Sequence, residues 1–208
     1  MVYTIAKKTI LAFARLFLKE VEGIENIPRK GPFIITSNHE SYLDPFLIGS
    51  IIIPLLNKKI HFLAKKGRFW NLFGDTISRK WAGCICADEG NEKALKKLSL
   101  LLKKDKIVGI FIEGERSFDG QLKKGKTGVV RLALTTKVPI LPIGIIGTFD
   151  IAPGNKLIPR IKRAKMNIGK LIYLDNYYER NKDSKLLRKL TDDIMHVISD
   201  LTRRPYNC

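Results

Sequence analysis

With 208 residues the chain is long enough for one domain with a real hydrophobic core and an appended helix or two. Its 45% apolar and 28% charged residues exclude wholesale disorder and a multi-span membrane protein. Thirty-eight Lys and Arg against twenty Asp and Glu leave a formal charge of +18, which selects polyanionic partners: nucleic acid, an anionic lipid surface or phosphorylated ligands.

Residues 4–18 are apolar-rich but are interrupted by Lys7, Lys8 and Arg15, and no small-residue cleavage pattern follows Glu20, so they form neither a signal peptide nor a membrane span. On a helical wheel Val2, Ile5, Phe13, Leu16 and Phe17 share one side, while Lys8, Arg15 and Lys19 share another. Residues 1–20 are therefore expected to form an amphipathic helix that either packs on the core or lies on anionic lipid, with the basic charge favouring lipid. Residues 21–208 are expected to form the domain itself.

Gly31-Pro32 punctuates the chain before a buried strand at 33–37, and a helix follows from about Asp44. The apolar run 45–56 is too short to span a bilayer and suits a buried helix. Short strands are expected at 60–64 and 83–87, separated by a turn-rich stretch, 66–80, that carries Phe69, Trp70, Leu72 and Phe73. Asn91 and Glu92 open an apolar-periodic helix through Ala94, Leu95, Leu98, Leu101 and Leu102. Residues 107–112 give the clearest strand, 125–136 a helix, and 138–146 a strand whose Pro139 and Pro142 suggest an edge or a strand beginning. A basic loop at 151–163, a strand at 165–174 and a closing helix at 184–203 complete the order. Strands alternating with helices predict a single α/β domain whose largely parallel central sheet is flanked by helices.

Chemistry concentrates in two places. His39 leaves the first strand and Asp44 follows five residues later, so a turn can set the carboxylate against the imidazole. Taken alone, the pair reads equally as a capped helix start. Directly after the strand 107–112, where α/β proteins bind ligands, come Glu113, Gly114, Glu115, Arg116 and Ser117. Gly114 allows a tight turn with exposed N–H groups, Arg116 offers a planar fork for phosphate and Ser117 adds a hydroxyl. Taken alone, this segment is an ordinary charged turn.

Cys84, Cys86 and Cys208 have no metal-type spacing and, being odd in number, no disulfide framework, which fits a reducing cytosol. Cys84 and Cys86 are expected in the core, and His61 and His196 in structural roles. No helix-turn-helix, zinc-finger or RNA-binding signature accompanies the charge, so nucleic acid is not an expected partner.

Together these segments resemble the glycerolipid acyltransferases that include bacterial 1-acylglycerol-3-phosphate acyltransferases, over roughly residues 20–150. Asn38, His39 and Asp44 match the first family motif, and Phe111 to Ser117 match the third with Ile112 for Pro and Glu115 for Thr. Val138, Pro139, Ile140, Leu141 and Pro142 match the fourth; Ala64-Lys65, Gly120 and Lys124-Gly125 resemble intervening positions. One departure stands out: Glu89 occupies the end of the second motif, where the family usually has an Arg that holds the acceptor phosphate.

The resemblance implies acyl transfer from acyl-CoA or acyl carrier protein to a lysolipid hydroxyl, with no metal, no cofactor and no acyl-enzyme. His39 is then the base, Asp44 its orienting carboxylate, and Arg116 the phosphate clamp with Lys65 as helper. Glu113, Gly114 and Ser117 form the binding loop, whose backbone near Gly114 supplies oxyanion donors. The enzyme would sit peripherally on the cytoplasmic face of the membrane, held by the basic patches Lys58, Lys59, Lys65, Lys66, Arg68 and Arg160, Lys162, Arg163, Lys165. A different lysolipid acceptor, or a lipid-binding protein without activity, is the alternative that Glu89 keeps open.

Overall fold

A computed structural model describes residues 9–65, 83–152 and 160–207. Among them, short β-branched runs form strands β1 (Leu18–Glu22), β2 (Ile34–Ser37), β3 (Ile60–Ala64), β4 (Ile85–Cys86), β5 (Ile107–Phe111), β6 (Ile140–Ile146) and β7 (Ala164–Ile168). They make one sheet in the order β1-β7-β6-β2-β5-β3-β4, in which only the β6–β7 pairing is antiparallel. Helices α1 (Ile10–Arg15), α2 (Asp44–Leu56), α3 (Asn91–Lys103), α4 (Gly128–Thr136), α5 (Thr148–Ile151) and α6 (Ser184–Thr202) connect and cover it.

Strands β2 and β5 are buried at every position, and β6 at all but Ile146, because both sheet faces are covered. Along β5, Ile107 and Phe111 enter a core with Leu47, Ile48, Ile51 and Ile52 of α2. Val108 and Ile110, pointing the other way, join Leu98 and Leu102 of α3, Leu132 of α4 and Ile194 of α6. The expected α/β domain with a largely parallel sheet is what forms.

Four local expectations change. The N-terminal helix ends at Arg15, and Leu18–Glu22 is strand β1, paired in parallel with β7. Its two apolar residues, Leu18 and Val21, do not alternate, but its charges suit an edge, with Glu20 paired to Lys165 at 2.5 Å. Residues 1–8 lie outside the described residues.

Strand β6 is interior, so of the edge and the strand beginning that its prolines suggested only the second holds: Pro139 directly precedes it and Pro142 is its third residue. Pro142 is tolerated there because its C=O accepts from Gly169 N–H at 2.9 Å, just past the last β6–β7 pair, so its missing N–H faces the place where β7 has already ended. The strand expected to reach residue 174 stops at Ile168, and only Ile172 bridges back to Ile140. The strand expected at 83–87 shortens to Ile85–Cys86. The aromatic-rich stretch 66–80 lies outside the described residues.

Candidate active site

Strands β2 and β5 are hydrogen-bonded neighbours with Ser37 opposite Phe111, so their carboxyl ends deliver the two motifs side by side. The turn after β2 brings His39 Nδ1 to 2.8 Å from Asp44 Oδ2. Asp44 is the first residue of α2 and is fully buried, where the helix N-terminus favours its charge. The same Oδ2 accepts from Glu40 N–H at 2.7 Å and Ser41 N–H at 2.8 Å, whereas its Oδ1 is buried without a hydrogen-bond partner among the described residues. A carboxylate held this way accepts the hydrogen bond of Nδ1–H and leaves Nε2 as the basic nitrogen.

The imidazole is fixed from its other side by packing. Its ring stacks on Phe111 at 3.8 Å between centroids, and Phe111 stacks on Phe62 at 5.7 Å. Gly109 makes room for that pile, since a Cβ there would stand 2.4 Å from the Phe62 ring.

Glu113 works behind this surface. It is buried, and its two oxygens accept from His39 N–H at 2.9 Å and Lys123 N–H at 2.8 Å, tying the turn after β2 to the loop after β5. Burial pushes its carboxyl up to about 7, against the pull of those two N–H groups. Ser117, also buried, gives its N–H to His39 C=O at 2.7 Å and its hydroxyl to Asp119 at 2.8 Å. Both residues are placed to shape the loop, which for Ser117 replaces the expected substrate contact. Gly114 adopts φ +72°, but its N–H donates to Phe111 C=O at 2.9 Å. That N–H is spent inside the turn, so Gly114 itself is not among the oxyanion donors expected from the backbone near it.

His39, Gly114, Arg116 and Lys65 do line a common cavity of about 670 Å³. Its apolar walls come from Leu11 of α1, Phe46 and Ile53 of α2, Leu63 of β3, Leu95 of α3 and Val129 of α4. The Arg116 guanidinium lies 3.7 Å above the Tyr42 ring centre, which sets its plane.

Lys126 also lines the cavity and escaped the sequence reading. A Cβ on Gly114 would stand 2.7 Å from Lys126 Cδ and 3.0 Å from its Nζ, so the glycine serves as the slot over which this lysine passes. Nothing in a chain with 38 basic residues marks Lys126; only the packing on Gly114 does. Glu89 closes the short turn after β4, between Ala87 and Asn91, which line the cavity; its own side chain lies outside what the structure describes.

Of the two cysteines expected in the core, Cys86 is buried, whereas Cys84 is half-buried and lines the cavity. Burial pushes the Cys84 thiol up to about 11, which keeps it a poor nucleophile. His61 Nδ1 bonds Gly83 C=O at 2.9 Å, and His196 packs edge-on against Tyr206.

The sequence profile of the Acyltransferase family matches residues 19–146, more than half of the chain. The 1-acyl-sn-glycerol-3-phosphate acyltransferase of Bacillus subtilis is 32% identical over 151 residues, covering 72% of this chain and 70% of that protein. A chloroplastic 1-acyl-sn-glycerol-3-phosphate acyltransferase of Arabidopsis thaliana is 34% identical over 137 residues, covering 64% of this chain and 37% of the plant protein. A chloroplastic relative in Brassica napus is covered over 39% of its length, so the chain spans about two fifths of these plant proteins. The crystal structure of the 1-acyl-sn-glycerophosphate acyltransferase from Thermotoga maritima superposes with a TM-score of 0.72 over 99% of this chain and 83% of that one. At 24% identity that likeness speaks for the fold.

Proposed function

The chain belongs to the Acyltransferase family, and on that premise we propose that it transfers a fatty acyl group from an acyl thioester to the free hydroxyl of 1-acylglycerol-3-phosphate, giving phosphatidic acid. The observation that carries this reading is the His39–Asp44 pair on an apolar-walled cavity that Arg116, Lys65 and Lys126 also line. The apolar walls suit acyl chains, and the cations suit a phosphate.

In this reading the acceptor hydroxyl attacks the thioester carbonyl while His39 Nε2 takes its proton, and the Asp44 carboxylate stabilises the imidazolium. The tetrahedral adduct then breaks its C–S bond, and the imidazolium returns the proton to the departing thiolate. Each proton is handled by a side chain, so the reading needs no metal or bound cofactor, and it accommodates acyl-CoA or acyl carrier protein as donor.

A panel of lysolipids offered with either donor tests the acceptor. The phosphate-bearing lysolipid is expected to give the highest kcat/KM, and a higher value for an acceptor without phosphate overturns that assignment. Arg116→Ala is expected to raise KM for the phosphate-bearing acceptor about tenfold or more and to leave the thioester KM within about twofold. Equal effects on both substrates remove Arg116 as the clamp.

A lysolipid acceptor resides in a bilayer, and the proposed place of the enzyme is the cytoplasmic face of the membrane, where α1 supports peripheral attachment. Its Ile10 and Phe13, with the adjoining Leu16, are exposed, and Ile10 and Leu11 also line the cavity. No helix among the described residues is long and apolar enough to cross a membrane. Phe13→Ser combined with Leu16→Ser is expected to weaken partition onto anionic vesicles by about tenfold or more, measured by flotation. Unchanged partition, or displacement of the wild type by DNA at equal charge, contradicts the lipid-surface assignment.

A further inference from the structure

A cation from the far end of the chain reaches the turn that carries His39. Helix α6 ends at Thr202, and Arg203 takes φ +54°, a left-handed cap whose N–H bonds Asp200 C=O at 3.2 Å. Arg204 N–H bonds Ser199 C=O at 3.1 Å, and this reversal sends the Arg204 side chain inward. Its Nη1 pairs with Glu40 Oε1, 164 residues earlier, and donates to Gly120 C=O at 2.5 Å.

Glu40 is 1% exposed, and its environment is fully built. Oε1 also accepts from Asn38 Nδ2 at 2.9 Å, and Oε2 from Phe149 N–H at 3.3 Å. Asn38 is itself locked to β6, giving its amide N–H to Ile145 C=O and accepting from Ile145 N–H, both at 2.8 Å. Burial pushes the Glu40 carboxyl up to about 7, and the Arg204 guanidinium is the strongest influence in the opposite direction.

The backbone of Glu40 is what couples this network to the cavity. Its N–H is one of the three donors that hold Asp44 Oδ2, the oxygen that also holds His39 Nδ1. Arg204 therefore joins the turn after β2, the loop after β5 at Gly120 and the end of α6 in one ion pair. It lies beyond the residues 19–146 that the family profile covers.

We propose that Arg204 is a positioning residue for the His39–Asp44 pair, acting by anchoring the Glu40 side chain so that the Glu40 N–H stays on Asp44. The role rests on the acyl-transfer reading for its kinetic consequence, though the geometry can be read without turnover. Removing Arg204 leaves a buried carboxylate without its counter-charge, which drives Glu40 to reorient or to take up a proton. Neutralising Glu40 at the same time removes that drive.

The test compares wild type, Arg204→Ala, Arg204→Lys and the Glu40→Gln/Arg204→Ala double variant in the full chain. Two readouts are taken: steady-state kinetics with acyl-CoA and 1-acylglycerol-3-phosphate, and the downfield proton resonance of His39 Nδ1–H. Arg204→Ala is expected to lower kcat about tenfold or more with both KM values within about twofold, and to broaden or shift the resonance. The double variant is expected to recover at least about threefold of that loss, and Arg204→Lys to fall between.

A wild-type kcat and resonance in Arg204→Ala overturns the proposal. So does a loss that neither Arg204→Lys nor Glu40→Gln relieves. Should Arg204→Ala not fold, Arg204→Lys and the double variant are judged by the same criteria. A wild type without turnover counts against acyl transfer alone, and the resonance still decides the role of Arg204.

Discussion

His39→Ala is expected to lower acyl transfer by about three orders of magnitude or more while the protein stays folded. The substitution removes Nε2, the nitrogen that the Asp44 bond leaves basic, and with it the route for the acceptor proton. The fold should survive because the long-range contacts of this residue run through its backbone. Its N–H goes to Glu113 and its C=O accepts from Ser117, and alanine keeps both. What is lost is one ring face stacked on Phe111 and the Nδ1 bond to Asp44, whose Oδ2 keeps the Glu40 and Ser41 N–H donors. The loss should appear in kcat, with KM for thioester and acceptor nearly unchanged, and a circular dichroism melt should stay cooperative. Substantial turnover in folded His39→Ala removes the residue as the base.

Asp44→Asn should be the second most damaging change, and its cause can be isolated. Oδ2 serves three donors and Oδ1 has none among the described residues, so an asparagine oriented with its oxygen in place of Oδ2 keeps all three hydrogen bonds. The tautomer of His39 is then retained, and only the negative charge facing the imidazolium is gone. The expected fall in kcat is about a hundredfold or more. Stability should drop by roughly 1–3 kcal/mol, because the new Nδ2 sits buried without an acceptor. A near wild-type kcat would mean that Asp44 serves only as the cap of α2.

Arg116 belongs with these two because its stack on Tyr42 gives the guanidinium a fixed plane before substrate arrives. Tyr42 lies inside the first motif and Arg116 inside the third, so beside the hydrogen bonds of His39 to Glu113 and Ser117 the two motifs also stack, His39 against Phe111 and Arg116 over Tyr42. Such paired contacts explain why the spacing within each motif is tight although some seventy residues of sequence part them.

The parts of the fold that were legible in the sequence are those set by local periodicity. The apolar run of β5, the acidic first turn of α3 and the spacing from His39 to Asp44 each state their structure within a few residues. The misjudged parts depend on partners far away in sequence. Leu18–Glu22 has too few apolar residues to declare itself a strand, and becomes one by pairing with β7 some 145 residues later. Pro142 argued for an edge because nothing local shows that β7 stops beside it.

The same distinction divides the site. His39, Asp44, Gly114, Arg116 and Lys65 could be named from motif residues, and the cavity gathers all but the buried Asp44 along its lining. Glu113 and Ser117 sit in an equally strong motif but face inward, and a sequence cannot tell a side chain that binds a ligand from one that binds the loop. Lys126 and Arg204 were hidden by the abundance of basic residues. They become visible only because Gly114, one loop away, lies beneath Lys126 and Glu40, 164 residues away, meets Arg204.

The most direct test of the central claim is incubation of the purified protein with acyl-CoA or acyl carrier protein and 1-acylglycerol-3-phosphate, with released thiol and lipid product followed together. Phosphatidic acid is expected to form in a one-to-one ratio with free thiol. Folded protein that releases no thiol and acylates no lysolipid with either donor would contradict it.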